Sequence, residues 1–434
     1  MHTPRFSRTL LGAALLSASL ALPAAVEQEP LLPLDDLRTF ADVYNQIRVG
    51  YVEEIDDSTL LEYAIQGMLG SLDPHSVYLT KDAFEDLQTN TSGEFSGLGL
   101  EVGMEDGYVK IIAPIDGSPA AEAGLQTGDI ILKLDNQPVK GMSLGEAIDQ
   151  MRGPKGSEIL LTIGRPGETE PFDITLKRDT IKVASVRERL LEPGYGYIRI
   201  AQFQTHTGED VSASLAKLEA DGTLKGLVLD LRNNPGGVLR ASVDVADIFM
   251  DGGLVVYTEG RMANSDVRYE AQPVDDTQGI PVVVLINGGS ASASEIVAGA
   301  LQDHGRAVIM GTNSFGKGSV QTVLPISESR AVKLTTALYF TPNGRSIQAA
   351  GIEPDIQVER ARVTAYDTSR QISEADLSGH LDNASGTQPH ERSVNNLLAT
   401  DNQLYEALTL LKGVNILGLR QKPKAATATA DSEP

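Results

Sequence analysis

The stretch GTNSFGKGSVQTVLPI, residues 311–326, decides what kind of α/β domain this chain builds. Gly311, four residues and then Gly316-Lys317 come close to the phosphate-cradling pattern G-x-x-x-x-G-K-[ST]. Gly318 stands where that pattern needs a hydroxyl. The residues after it are β-branched without helical period, so they predict a strand. A helix N-terminus supplies the aligned N–H groups that hold phosphate, and none is expected here. The stretch argues against a nucleotide site and leaves Lys317 in need of another role.

On either side of it, strands and helices alternate from 181 to 360. GYIRIAQF, GLVLDL, VVVLI and AVIMG are short apolar runs suited to buried strands. EDVSASLAKLEAD, LRASVDVADIFM and SASEIVAGALQDH are amphipathic helix candidates between them, and the succession predicts an α/β (α+β) domain. Residues 91–180 differ: β-like runs (YVKIIA, DIILKLD, EILLTIGR) alternate with Gly-rich turns and one short helix, SLGEAIDQM. Gly97-Leu98-Gly99-Leu100 can present successive backbone N–H groups to a carboxylate, beside a strand edge able to pair with an extended peptide.

Residues 26–90 read as a helical region. Leu37, Phe40, Tyr44 and Ile47, then Leu61, Ala64, Ile65 and Met68, recur at helical spacing. Asp57-Ser58 is the expected cap of the second helix, and Asp73-Pro74-His75 a closing turn. Residues 1–25 carry Arg5 and Arg8, an apolar run too short to span a membrane and a small-residue end, as in a secretory signal peptide. Residues 361–420 are polar with one apolar helix near LYEALTLLKG, and 421–434 has the composition of a disordered tail. With no cysteine, an exported chain relies on packing alone and has neither a lipid-anchoring nor a nucleophilic thiol. A formal charge of −23 repels nucleic acid and anionic lipid.

The chemistry concentrates at Gly288-Gly289-Ser290-Ala291-Ser292-Ala293-Ser294-Glu295, between the strand VVVLI and a helix. Ser292 with Glu295 fits an S-x-x-E capping box. The same position suits a nucleophile: small neighbours admit a peptide backbone, and the helix N-terminus stabilises an oxyanion. Lys317, between two glycines, serves as a general base only if desolvation lowers its pKa toward neutrality. Residue spacing does not choose among Ser290, Ser292 and Ser294. The six histidines are scattered with no metal-binding pair, so no metal or cofactor is expected. His304 reads as a polar helix end before Gly305, and Arg345 as closing a hairpin or pairing with a carboxylate.

FSGLGLEV with GSPAAEAGLQTGDIILKLDNQPV resembles a PDZ domain of the bacterial protease type. DLRNNPGGVL, GGSASASEIVAGALQDHGRA, GTNSFGKGSVQ, KLTTALYFTPNGRSIQAAGIEPD and EADLSGHL together resemble the carboxyl-terminal processing (tail-specific) proteases. The resemblance implies Ser292 as nucleophile, Lys317 as general base and Gln321 as the residue orienting that lysine. It implies an oxyanion hole from the N–H groups of Ala293 and Gly237. Residues four apart on a strand share a face, so Lys317 and Gln321 are expected to meet. The expected protein is an exported, periplasmic serine endopeptidase, with membrane association left open. It takes protein tails at Gly97–Leu100, uses no cofactor, and works with an adaptor or activator or as a dimer-based oligomer. The rival is an inert PDZ adaptor that binds tails without cutting them.

Overall fold

The computed structural model describes residues 33–115, 117–262, 264–363, 378–379, 381, 397 and 400–421. The leader expected at 1–25, residues 374–377 and 380 of EADLSGHL, and the tail after 421 lie outside the described residues. The chain divides after Gly67 into two compact units. In the first, α1 (Leu34–Gly50) leads to α2 (Asp57–Gly70), which runs across the boundary. The cap of α2 is Asp56 rather than Asp57-Ser58: its carboxylate accepts the Thr59 N–H at 2.9 Å, and Asp57 is already helical. Helix α1 buries no residue, and Leu37, Phe40 and Ile47 of its apolar stripe are exposed.

The second unit opens with β1 (Val77–Leu79) and α3 (Lys81–Ser92). Next, β2 (Glu94–Gly97) leads into a sheet of β3 (Leu100–Glu105), β4 (Tyr108–Pro114), β5 (Ile130–Leu134), β6 (Gln137–Pro138), β7 (Glu158–Gly164) and β8 (Phe172–Lys177). Between its strands lie α4 (Pro119–Glu122) and α5 (Leu144–Met151). Alternate residues Ile159, Leu161 and Ile163 of β7 point inward onto Val109, Ile111 and Ile131, the period of two expected of a one-sided sheet. Helix α5 starts at a full capping box, Ser143 with Glu146. The way out, β9 (Asp179–Lys182), pairs antiparallel with the way in, β2, so one ribbon carries this domain.

Beyond it the chain forms β10 (Val186–Glu192), β11 (Tyr195–Ile200), α6 (Thr207–Ala220), β12 (Gly226–Asp230), α7 (Leu239–Phe249), β13 (Asp251–Gly260), β14 (Arg268–Pro273), β15 (Val282–Ile286), α8 (Ala293–Asp303) and β16 (Ala307–Gly311). Then come β17 (Ser319–Ser327), β18 (Arg330–Phe340), β19 (Ile356–Gln357) and α9 (Asn402–Gln421). The main sheet runs β10-β11-β12-β15-β16-β19, parallel except for β10 against β11. Strands β12 and β15 are buried at every residue, which explains why they read as unbroken apolar runs. Helices α6, α7 and α8 cover one face, while Leu404, Ala407, Leu408 and Leu411 of α9 pack on Val228, Val283 and Leu285 of the other. That side of α9 is therefore internal packing. A second sheet, β1-β18-β13-β14 with β17 on β18, carries Lys317 at its entrance.

Candidate active site

Residues 287–295 turn from the buried end of β15 into α8. The three serines of this turn separate by burial. Ser290 is buried and donates to the Leu231 carbonyl at 2.8 Å; Ser294 is buried and donates to the Asn234 carbonyl at 2.9 Å. Ser292 alone of the three lines a cavity of about 460 Å³. Its backbone sits at φ 57°, ψ −114°, a region that costs a non-glycine residue about 1–3 kcal/mol.

Glu295 holds that conformation. Its buried carboxylate accepts the Ser292 N–H at 2.7 Å, the reach-back half of a capping box. The same carboxylate accepts the Ser314 hydroxyl at 2.6 Å and the N–H groups of Gly316 at 2.7 Å and Lys317 at 2.9 Å. Burial pushes its pKa up, against the lowering effect of those hydrogen bonds. One side chain, read from the sequence only as a cap, thus ties the serine turn to the lysine loop.

Lys317 lines the same cavity, and its ammonium donates to Gln321 Oε1. The two meet as expected, for a different reason: Lys317 precedes β17, and a register shift between Val320 and Gln321 sets the glutamine's direction. Burial pushes the Lys317 pKa down to about 8, the charge of Lys333 adds to this, and Glu295 and Asp73 oppose it. After Lys317 the chain extends as a strand, so no helix N-terminus stands at this loop and the phosphate reading falls. Tyr339, buried behind the cavity, donates to the Lys317 carbonyl and lies beside the Ser292 hydroxyl.

The opposite wall comes from the loop after β12. Asn234 is fully buried: its amide donates to the Ile200 carbonyl at 2.9 Å and accepts the Gly236 N–H at 2.9 Å. Gly236 (φ 98°) lies so close to the serine turn that a Cβ there would sit 2.7 Å from Ser292 Cβ and 3.0 Å from the Ala293 nitrogen. The N–H groups of Gly237 and Ala293 find no acceptor among the described residues. Gly237 lines the cavity, and Ala293 follows Ser292 as the first residue of α8. Leu87, Val238, Leu239, Ile296, Val320 and Val323 make the rest of its lining largely apolar.

His304 ends α8, its Nε2 2.7 Å from the Leu254 carbonyl, and Arg345 pairs with Asp303. Neither lines the cavity. Sequence reading missed Asn234, Tyr339 and the linking role of Glu295. The S-x-x-E spacing was the one available signal, and it pointed to a helix end.

In the small domain, β3 has β4 as its one neighbour among the described residues, so its outer edge is open. The N–H groups of Leu98 and Gly99 are also without acceptors among the described residues. Gly99 (φ 76°) leaves no room for a side chain, since a Cβ would fall 2.2 Å from Ser118 Cβ. Beside the open edge, Phe95, Leu98, Leu100, Ile148 and Met151 line a pocket of about 210 Å³.

The chain is similar to known proteins. Peptidase family S41 matches residues 194–358, a PDZ domain 110–165, and the activating protease CtpB N-terminal domain 18–83. The carboxy-terminal-processing protease of Bartonella bacilliformis is 47% identical over 389 residues, covering 87% of this chain and 88% of that one. The carboxyl-terminal-processing protease of Synechocystis is 41% identical over 308 residues, covering 69% and 71%. The solved photosystem II D1 C-terminal processing protease is 33% identical with a TM-score of 0.43, covering 74% of this chain and 86% of that one. A serine-peptidase core of mixed α/β type with a PDZ domain inserted before it, this chain belongs to the carboxy-terminal processing proteases of peptidase family S41.

Proposed function

We propose that the protein is an exported endopeptidase that cuts proteins near their C-termini with a Ser292–Lys317 dyad assisted by Gln321. The observation that carries this is one cavity lined by both the strained Ser292 and a lysine whose pKa burial lowers to about 8. A lysine that loses its proton near neutrality can take the hydroxyl proton as Ser292 attacks the carbonyl. It returns that proton to the leaving amine, and water then releases the acyl group from Ser292. The tetrahedral oxyanion is received by the N–H groups of Ala293 and Gly237, which have no other acceptor among the described residues. Gln321 holds the amine through its carbonyl oxygen.

A substrate tail adds as a strand to the open edge of β3, its carboxylate on the N–H groups of Leu98 and Gly99. Its last side chain enters the pocket beside Ile148 and Met151. The apolar lining of the catalytic cavity favours an apolar residue at the cut. The leader at residues 1–25 directs export to the periplasm of a two-membrane envelope, and the apolar stripe of α1 serves self-association. An inert adaptor would need none of the depression at Lys317.

The test is cleavage of an unfolded protein with an apolar tail by wild type, Ser292→Ala and Lys317→Ala. Cutting by wild type alone, with all three folded, supports the dyad. Turnover surviving in either variant overturns it.

A further inference from the structure

The turn Asp73-Pro74-His75 ahead of β1 does not line the catalytic cavity, yet it is bonded to the strand that faces Gln321. The Asp73 carboxylate accepts the N–H groups of His75 at 2.7 Å and Ser76 at 2.9 Å, and the Ser76 hydroxyl at 2.7 Å. It also accepts the hydroxyl of Thr335, 3.1 Å away on β18. The Ser76 hydroxyl in turn accepts the Thr335 N–H at 3.1 Å, and β1 pairs with β18 at Val77–Lys333. The turn is therefore clamped onto the strand beside Gln321.

A hydroxyl has one proton to give. Because that of Thr335 goes to Asp73, its lone pairs face Gln321, whose Nε2 donates to it at 3.3 Å and to the Ser319 hydroxyl at 3.0 Å. The Ser319 carbonyl, 3.3 Å from Nε2, is a further acceptor on that side, and with both amide protons directed there Oε1 is the atom presented to Lys317. A flipped amide would set NH₂ against the ammonium. The protons thus run in one direction, from Lys317 to Gln321 to Thr335 to Asp73.

We infer that Asp73, acting through the Thr335 hydroxyl, fixes the orientation of the Gln321 amide and so aims the Lys317 amine at Ser292. Asp73 and Thr335 are positioning residues, and the inference rests on the Ser292–Lys317 reading. Among the described residues, the charged and titratable groups around Lys317 are Glu295 on α8, Lys333 and Tyr339 on β18, and Asp73 and His75 on this turn. Asp73 stays ionised there: burial works to raise its pKa, but the hydrogen bonds from Ser76, His75 and Thr335 together lower it.

The test compares Thr335→Val, Thr335→Ser and Asp73→Asn with wild type and Lys317→Ala in the full-length protein. The readouts are kcat, KM and their pH profiles, with the Lys317 amine titrated by NMR of ¹⁵N-lysine. Thr335→Val is expected to lose about tenfold or more in kcat, the scale of a small misplacement of a catalytic group, with KM little changed. Thr335→Ser restores the rate. Loss of the Gln321 acceptor or of the Asp73 charge moves both the Lys317 titration and the acid limb of kcat/KM to lower pH. Wild-type rates and titration in Thr335→Val, or an equal loss in the Ser and Val variants, would overturn the inference and leave the dyad standing. Turnover surviving in Lys317→Ala overturns both.

Discussion

The buried carboxylate of Glu295 stands 2.7 Å from the backbone nitrogen of Ser292 and 2.9 Å from that of Lys317, one oxygen serving both. Two segments separated by a whole helix and strand are thereby held at a fixed spacing. Burying this carboxylate is costly, and four donors offset the cost.

Glu295→Gln replaces an acceptor-only group by one whose amide must turn two protons on its former donors. We expect a loss of about 2–4 kcal/mol in stability, the scale for breaking a buried charged network, and at least tenfold in kcat. Thermal melting and turnover of the same preparation check both, and wild-type values in both would discount the tie.

As the proposed general base, the Lys317 amine would act when neutral, so kcat/KM should rise with pH and level off above a pKa of about 8. The folded pKa lies below the ordinary lysine value of 10.5, so between these values the unfolded chain binds more protons. Stability from this group therefore increases with pH across that window and is at its lowest below about 8. Lys317→Met removes the penalty. It should be inactive yet melt about 2 °C or more above wild type at pH 7. A lower melting temperature would count against a desolvated lysine.

Gly236→Ala sets a Cβ 2.7 Å from both the Ala291 carbonyl oxygen and Ser292 Cβ, at a φ of 98°. The serine turn or the loop must shift. Turnover should fall about a hundredfold or more if the proposed oxyanion donors Gly237 and Ala293 are displaced, since losing one such donor costs that much. Tail binding to the isolated edge of β3, followed by fluorescence polarisation of a labelled peptide, should be unchanged.

Ile148→Glu puts a charge into the apolar pocket beside Leu98 and Met151. Affinity for an apolar peptide tail should drop tenfold or more, on the order of the 1.4 kcal/mol that factor represents. Titration calorimetry measures it, and an undiminished affinity would move the tail site elsewhere.

Arg232, just before the Asn234–Gly237 loop, bonds the fully buried Asp230 at 2.6 Å and Asp401 at the start of α9 at 2.8 Å. Arg232→Met leaves the buried Asp230 carboxylate with the backbone N–H of residue 232, the Tyr197 hydroxyl and Arg199 at 3.6 Å for partners. The expected cost is about 3–5 kcal/mol of stability, read from denaturant unfolding. Restoration by Arg232→Met with Asp230→Leu would show that the cost is the orphaned charge.

The sequence by itself determined the alternation of buried strands and helices, the Gly-rich small domain before it, and the rejection of a phosphate loop at Lys317. These rest on period, turn chemistry and residue type, which are local. It narrowed the candidate nucleophile to a turn bearing three serines, and resemblance pointed to Ser292. Only the tertiary structure separated them, because burial is a property of the packed chain: Ser290 and Ser294 face inward onto the carbonyls of Leu231 and Asn234, while Ser292 faces the cavity. The cap of α2 was misread by one residue because Asp56 and Asp57 are equally good caps by composition, and backbone geometry alone chose between them. The pKa of Lys317, the tie through Glu295 and the clamp from Asp73 to Thr335 were likewise invisible beforehand. Each joins residues up to 262 positions apart, and desolvation and hydrogen-bond direction exist only once those residues meet.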